Sequence, residues 1–350
     1  MKVLMFGSGV LGSYYGARLA ADGHDVTMLA RGRRLEEIKE HGLVVVDDGT
    51  GERFDLRVPV TAVLDPAERY DVIIVLVRAE QVADALPTIA TNAAAPTILF
   101  MNNTAAGPGI LNDTLGSDRV MLGFPGAAGS KDGHVVHARV VHPLIQKTTV
   151  GESGGGRSAR ATRIARMFKE AGFPSAVSGD MDAWLKTHAA LVAPIANAFY
   201  MAGGDMLRLA RTRDALVLAT RAVKEGFRML RCGGWPVTPS HLALALAAPE
   251  PIMVALLGWA ARTPYAEFII ARHAAVAREE IGLLSSQLVA LSRATGIAMP
   301  SFETLATYGK DGIRAAAPGS RVLPVRWGGM LAVGGAVLTA LALRWMFRRS

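Results

Sequence analysis

Cysteine is nearly absent: Cys232 is the only one in 350 residues. That excludes an intramolecular disulfide and a cysteine metal site, and it fits a reducing compartment. The eight histidines are scattered and none forms a HExxH-type pair, so no metal is expected. Charge is scarce at 19%, against 51% apolar residues, which is the composition of a packed chain rather than a disordered one. The length allows two domains, each with its own core. The formal charge of +8 comes without any RNP, zinc-finger or basic-aromatic pattern, so nucleic acid is not an expected partner. Part of the excess sits near the C-terminus in Arg321, Arg326, Arg344, Arg348 and Arg349, where it reads as membrane flanking. No signal peptide is expected, because the apolar residues 1–6 are too few and run straight into a glycine loop.

The N-terminal half has the pattern of an α/β domain. Residues 2–6 read as a short buried strand, followed by a glycine loop, a helix ending at Ala21, a turn at Asp22-Gly23-His24 and a second strand at 25–30. Residues 43–60 read as short strands with a turn at Asp47-Asp48-Gly49. The nearly unbroken run YDVIIVLV at 70–77 suits a parallel strand buried on both faces, and 97–101 and 120–124 repeat it. A helix at 159–171 and a strand at 174–177 follow. The whole predicts a Rossmann-type, doubly wound parallel sheet over residues 1–178.

From about residue 180 the pattern becomes helical. Asp180 or Asp182 can cap a helix running through Trp184, Leu185, Val192, Ile195 and Phe199. Further helices are expected at 212–231, 238–247, 252–261 and 265–295, giving an all-α domain over 179–316. A Pro/Gly linker at 317–326 leads to a run, 327–343, with no charged residue, which Arg344 alone interrupts before 347. As a helix it would span about 25–30 Å, the short end for crossing a bilayer. Trp327 and Trp345 stand at its ends and arginines flank it. A buried helix of the soluble fold is the alternative. We read 327–347 as a transmembrane helix, a tail anchor on a cytoplasmic enzyme.

Gly7, Gly9 and Gly12 form G-x-G-x-x-G after a strand and at the opening of a helix, with a second strand beyond. In that context the pattern marks a dinucleotide loop made of Gly7, Ser8, Gly9, Val10, Leu11 and Gly12. The glycines allow the tight turn, the approach of the pyrophosphate and close helix–strand packing, while the helix N-terminus faces the phosphate charge. The acidic residue that would bind the ribose hydroxyls of NAD is missing after the second strand. Ala30-Arg31-Gly32-Arg33-Arg34 stands there, which suits a 2′-phosphate. NADPH is the expected cofactor, with Arg31 on the phosphate and Arg33 or Arg34 in support. A solvated basic turn is the alternative.

With these residues in place the sequence resembles the ketopantoate reductase (2-dehydropantoate 2-reductase) family. The matching pieces are GSGVLGSYYGARLAADGHDVTMLARG, DVIIVLV with Arg78-Ala79-Glu80-Gln81-Val82, Met101-Asn102-Asn103, GFPGAAGSKDGHVV, Trp184-Leu185-Lys186, Glu279-Glu280-Ile281 and Gly296-Ile297-Ala298-Met299-Pro300. The resemblance implies reduction of a 2-keto acid by NADPH, with a small keto substrate as partner and a homodimer as an open arrangement. The family's catalytic lysine falls on Lys186, where an ammonium can stabilise the oxyanion and donate the proton. Its glutamate falls on Glu280, with Glu279 leaving the register open by one. Its asparagine beside the nicotinamide ribose and substrate falls on Asn102, and its cofactor-side lysine is replaced by Arg78. Other positions depart from the family. Asn103 stands for a glycine, Ala190 and Pro194 for substrate asparagines, Gly203-Gly204 near a third and Phe268 for a serine. Asn197, on nearly the same helical face as Lys186, is expected to compensate in substrate binding. Arg272 or His273 could hold a carboxylate, with a solvated face as the alternative. These departures make ketopantoate itself a doubtful substrate and favour a less polar carbonyl compound. The alternative function is a membrane-tethered module that binds NADPH without turnover.

Overall fold

The computed structural model describes residues 1–263, 266 and 278–327. The chain divides into two compact units, Met1–Leu185 and Lys186–Ser350.

The first unit is Rossmann-like. Its strands are β1 (Lys2–Phe6), β2 (Asp25–Leu29), β3 (Leu43–Asp47), β4 (Arg53–Leu56), β5 (Val60–Thr61), β6 (Val72–Val75), β7 (Ile98–Met101), β8 (Val120–Phe124), β9 (Ala127–Asp132), β10 (Val135–Val140), β11 (Thr148–Glu152) and β12 (Ser175–Val177). Its helices are α1 (Val10–Ala21), α2 (Gly32–His41), α3 (Val82–Ala90), α4 (Gly109–Leu115) and α5 (Ala159–Glu170). An eight-stranded sheet has the order β12-β11-β8-β7-β6-β1-β2-β5. Its strands are parallel from β5 to β8, and β11 then pairs antiparallel with β8.

The apolar runs explain this arrangement. Side chains alternate across a strand, so Val3, Met5, Val72, Ile74, Leu99 and Met101 enter one core while Leu4, Phe6, Ile73, Val75, Ile98 and Phe100 enter the other. A strand covered on both faces needs no polar side.

A second, four-stranded sheet, β4-β3-β10-β9, shares the first core with α1. Asp47, at the end of β3, joins the layers. Its Oδ1 accepts from the backbone N–H of Gly49 at 2.8 Å and of Thr50 at 3.1 Å. Its Oδ2 accepts from the Tyr14 hydroxyl at 2.5 Å and Arg18 Nη1 at 2.9 Å. Burial, then the Asp47 carboxylate, pushes the Tyr14 hydroxyl pKa well above its ordinary value despite Arg18. Tyr15 is fully buried and stacks on Phe173 with ring centroids 4.0 Å apart.

Several local expectations need correction. Residues 32–41, for which no helix was expected, form α2 with Arg31 as its extended cap; the sequence GRRLEEIKEH is mostly polar and buries only Ile38. The β9–β10 hairpin was not expected, because β9 (AAGSKD) is mostly exposed and lacks alternation. Residues 238–247 are not one helix, but a 3-10 turn at Ser240–Ala243 followed by one short α-helical turn.

The boundary between the units falls inside α6 (Met181–Met201), where Asp180 Oδ1 caps the first turn by accepting from Ala183 N at 2.8 Å. The helical unit continues with α7 (Met206–Arg211), α8 (Arg213–Cys232), α9 (Leu244–Ala247), α10 (Glu250–Ala260), α11 (Arg278–Thr295) and α12 (Pro300–Thr307). Helices α7, α10, α11 and α12 pack on α8.

The segment 317–326, expected as a linker, is strapped to this unit. The buried Asp214 carboxylate accepts from the Ser320 hydroxyl, Val322 N at 3.0 Å and Leu323 N at 2.8 Å. Burial raises the pKa of this carboxyl, but those donors and Arg213 outweigh it and hold it below its ordinary value. Arg221 forms a two-pronged pair with Glu250 and donates to Pro324 O at 2.7 Å, while Arg326 N donates to Glu250 Oε1 at 3.0 Å. The apolar run expected to cross a membrane lies, beyond Trp327, outside the described residues. Among the described residues no helix is long and apolar enough to cross one.

Candidate functional site

The glycine turn sits at the carboxyl end of β1. Gly7 has φ +113°, and a Cβ there would stand 2.5 Å from Leu76 O. At Gly12 a Cβ would stand 1.9 Å from Gly7 O, so helix and turn touch as backbone against backbone. Gly9 differs: nothing lies within 4 Å of where its Cβ would be, and the residue is exposed. It caps α1 with no side-chain hydrogen bond, and the first turn holds no acidic residue. The free N–H groups and dipole of that end suit an anion. Ser8 is buried and its carbonyl accepts from Ser13 Oγ at 3.0 Å, and Val10 and Leu11 are half-buried at the helix start. A cavity of about 300 Å³ opens beside the turn, lined by Gly7, Ser8, Ala30, Arg31, Val77 and Gln81 among others. Shape, backbone donors and open space at Gly9 together fit a dinucleotide pyrophosphate.

The arginines separate by partner. Arg34 donates to Ser8 O at 3.1 Å, Ser13 Oγ at 2.9 Å, His134 O at 3.1 Å and Glu37 at 3.1 Å, so its donors hold the turn rather than a ligand. Arg33 pairs with Glu37 at 2.8 Å. Arg31 is exposed on the cavity wall, and its guanidinium makes no hydrogen bond or ion pair among the described residues.

Glu37 is the counter-charge of this cluster. Lys131, then Arg34 and Arg33, hold its carboxyl down at about 2, against an ordinary 4.5. A carboxyl depressed by folding stabilises the fold above its unfolded pKa, and that contribution is lost as pH falls through the folded value. Stability is therefore expected to drop between pH 4.5 and about 2. Glu37→Gln should flatten the drop by about 1 kcal/mol, allowing for solvent screening, in urea melts across that range. An unchanged pH profile would mean that the network contributes nothing.

The remaining sheet-side positions follow strand ends. Arg78, after β6, is exposed, with its guanidinium 3.9 Å from Glu80, and its backbone N donates to Gln81 Oε1 at 3.2 Å. Asn102, directly after β7, is half-buried, and its side chain makes no hydrogen bond among the described residues. Asn103 beside it is buried with Oδ1 unpartnered.

In the helical unit Lys186 is only 2% exposed, with Nζ 4.9 Å from the centre of the Trp235 ring. An aromatic face is one of the few surroundings that favours a cation away from bulk water. Asn197 is buried. Its Nδ2 donates to Ala193 O at 2.9 Å and Ser285 Oγ at 3.0 Å, tying α6 to α11 and leaving Oδ1 as the atom without a partner. Glu280 is half-buried and Glu279 exposed, so Glu280 is the more inward of the pair. Near it, Arg278 lies 4.2 Å from the centre of the Tyr200 ring. Burial pushes the Tyr200 hydroxyl up to about 12, with Arg278 opposing and Glu280 adding to the rise.

Trp235 and Tyr200 were missed in the sequence. Tyr200 lies 14 positions after Lys186, nearly on one helical face, a spacing that could have found it. Trp235 follows a different helix and carries no local signal. Ala190 has a physical reason: a Cβ on Gly226 of α8 would stand 3.0 Å from its own Cβ, so the two helices touch there and an asparagine has no room. Phe268, Arg272 and His273 lie outside the described residues.

Comparison with known proteins bears on the family and the fold. Residues 3–155 match the family model for ketopantoate reductase PanE/ApbA. The 2-dehydropantoate 2-reductase of Mesorhizobium japonicum is 26% identical over 212 residues, which are 53% of this chain and 63% of that protein. The chain thus spans less than two thirds of that relative. The 2-dehydropantoate 2-reductase of Archaeoglobus fulgidus is 30% identical over 213 residues, 59% of this chain and 67% of that protein. Among solved structures, the ternary structure of D-mandelate dehydrogenase with NADH and anilino(oxo)acetate shares the fold, with a TM-score of 0.72 at 17% identity over 88% of this chain and 97% of that one. The family model over residues 3–155, which include the glycine turn, and the Archaeoglobus fulgidus relative together place this chain in the ketopantoate reductase family.

Proposed function

We propose that the protein reduces the carbonyl of a 2-keto acid or related ketone with NADPH. The observation that carries this reading is the glycine turn, closed to any side chain at Gly12 and open at Gly9. The nicotinamide cofactor, when bound, supplies hydride to the carbonyl carbon. The chain's own residues do the rest. The backbone of the loop from Gly7 to Gly12 holds the pyrophosphate at the α1 N-terminus, and Arg31 takes the 2′-phosphate. Arg78 would contact the cofactor and Asn102 would position nicotinamide ribose and substrate, with Glu280 as a further contact. Asn197 offers only its Oδ1 to a substrate. Lys186 stabilises the oxygen as charge builds on it and transfers one proton, so that the ketone becomes a hydroxyl. Its burial against Trp235 supports this role, since an ammonium held out of bulk water acts more strongly on a developing charge. The absence of asparagines at Ala190 and Pro194 removes two amides that would recognise ketopantoate, which favours a less polar substrate. Turnover of NADPH with a panel of 2-keto acids and simple ketones tests the reading.

Cofactor choice has its own test. Arg31→Ala should weaken NADPH binding about 10- to 100-fold, the worth of a charge-assisted hydrogen bond, and leave NADH nearly unaffected. NADH is the comparator because the similar D-mandelate dehydrogenase structure contains it. Equal losses for both would remove Arg31 from the 2′-phosphate.

A second reading rests on the missing asparagines: an NADPH-binding module without turnover. It requires NADPH binding with no oxidation by any carbonyl compound, and unchanged binding in Lys186→Ala. For location, we propose a tail anchor formed by residues 327–347, on the strength of the uncharged run and its tryptophan and arginine flanks.

A further inference from the structure

Helix α10 has an unusual surface. Its sequence, EPIMVALLGWA, is apolar on every side after the first residue, yet only Glu250 and Gly258 are buried. A helix apolar all round normally lies inside a protein or a bilayer. Ile252, Leu256 (58% exposed) and Trp259 (67% exposed) instead form an outward stripe at i, i+4 and i+7, followed one turn later by exposed Arg262.

The strap ends at the same place. Arg326 N donates to Glu250, the first residue of α10, and Trp327 follows, 63% exposed. The uncharged run 327–343 therefore begins at the foot of the exposed stripe.

We infer that the outward face of α10 is a second membrane contact, lying on an anionic lipid surface beside the tail. Tryptophan at the water–lipid boundary and arginine toward anionic headgroups are the chemistry of such a face, and Arg262, Arg321 and Arg326 are all exposed. Two other occupants fit less well. The run 327–343 carries no charge on any side, so covering α10 with it would bury one side and leave the other in water. A second copy meeting this face across a two-fold axis would bring like arginines together. A bilayer accommodates both apolar surfaces at once. The inference rests on the anchoring proposed above, and its test separates the two.

Cys232 is exposed and is the only cysteine, so Cys232→Ser gives a clean background for labelling. The full chain carrying Leu256→Cys with an NBD label is mixed with phosphatidylcholine vesicles containing phosphatidylglycerol, and Lys39→Cys in the same background is the control. We expect the label at 256 to brighten several-fold, shift to the blue and be quenched by nitroxide-bearing lipid, while the label at 39 does none of these. If the protein sediments with vesicles but the label at 256 stays unchanged, the tail alone makes contact and the inference fails while the anchor stands. A label already blue without vesicles overturns it too: dependence on protein concentration would identify a second copy, and independence the chain's own tail. Absence of any vesicle binding would remove both the anchor and this face.

Discussion

Lys186→Ala is expected to lower kcat about 10³-fold while the affinity for NADPH stays unchanged. The size follows from the two tasks assigned to one ammonium: stabilising the oxygen as it becomes negative and giving it a proton. The separation of kcat from binding follows from position, because Lys186 belongs to the helical unit and the glycine turn to the sheet unit. Stopped-flow turnover beside fluorescence titration of NADPH reads both. Lys186→Arg keeps charge but changes reach and proton affinity, so it should recover only part of the rate. A Lys186→Ala variant that kept full turnover would end the proposed mechanism. Residual stability matters here as well: truncating a buried side chain beside Trp235 leaves space, so the variant's thermal midpoint must be measured with the rate.

Gly12→Ala should have the other large effect. A single methyl group there would lie 1.9 Å from Gly7 O and 3.0 Å from the carbon of the same carbonyl. Backbone, unlike a flexible side chain, has nowhere to rotate, so the turn must open. We expect a loss of about 3 kcal/mol in stability, the upper range for overpacking, and NADPH binding weakened beyond 100-fold. Gly9→Ala is the contrasting case. Its Cβ meets no protein atom and its φ of −66° is ordinary for alanine, so the unliganded melt should not move while NADPH affinity falls. Equal behaviour of the two variants, whether both stable or both unfolded, would contradict the division between a packing glycine and a ligand-facing one.

The sheet was readable because its strands are covered on both faces. VIIV at β6 and ILFM at β7 are entirely buried, and such runs have few other uses in a chain of this length. The glycine loop was readable because its spacing is dictated by backbone contacts seen directly at Gly7 and Gly12. Helix α2 was not, since its seven polar residues leave only Leu35 and Ile38 as apolar positions, and Ile38 alone is buried. Nor was the β9–β10 hairpin, whose first strand faces water. The fate of Arg34 was hidden for a different reason. Its partner His134 lies 100 residues away, so a basic cluster that reads as one ligand site locally becomes a structural clamp and one arginine, Arg31, without a partner among the described residues. Asp214 and Glu250 hid the strap in the same way, because the backbone they hold lies 76 to 109 positions further on.

That strap removes slack. Ten unrestrained residues would let their two ends wander over roughly 17 Å, with each attached body tumbling on its own. With the chain fastened at Ser320, Leu323 and Arg326, the helical unit holds its own chain as far as Arg326. Anything gripping the chain directly after the strap would therefore hold the helical body close, more like a foot than a balloon on a string.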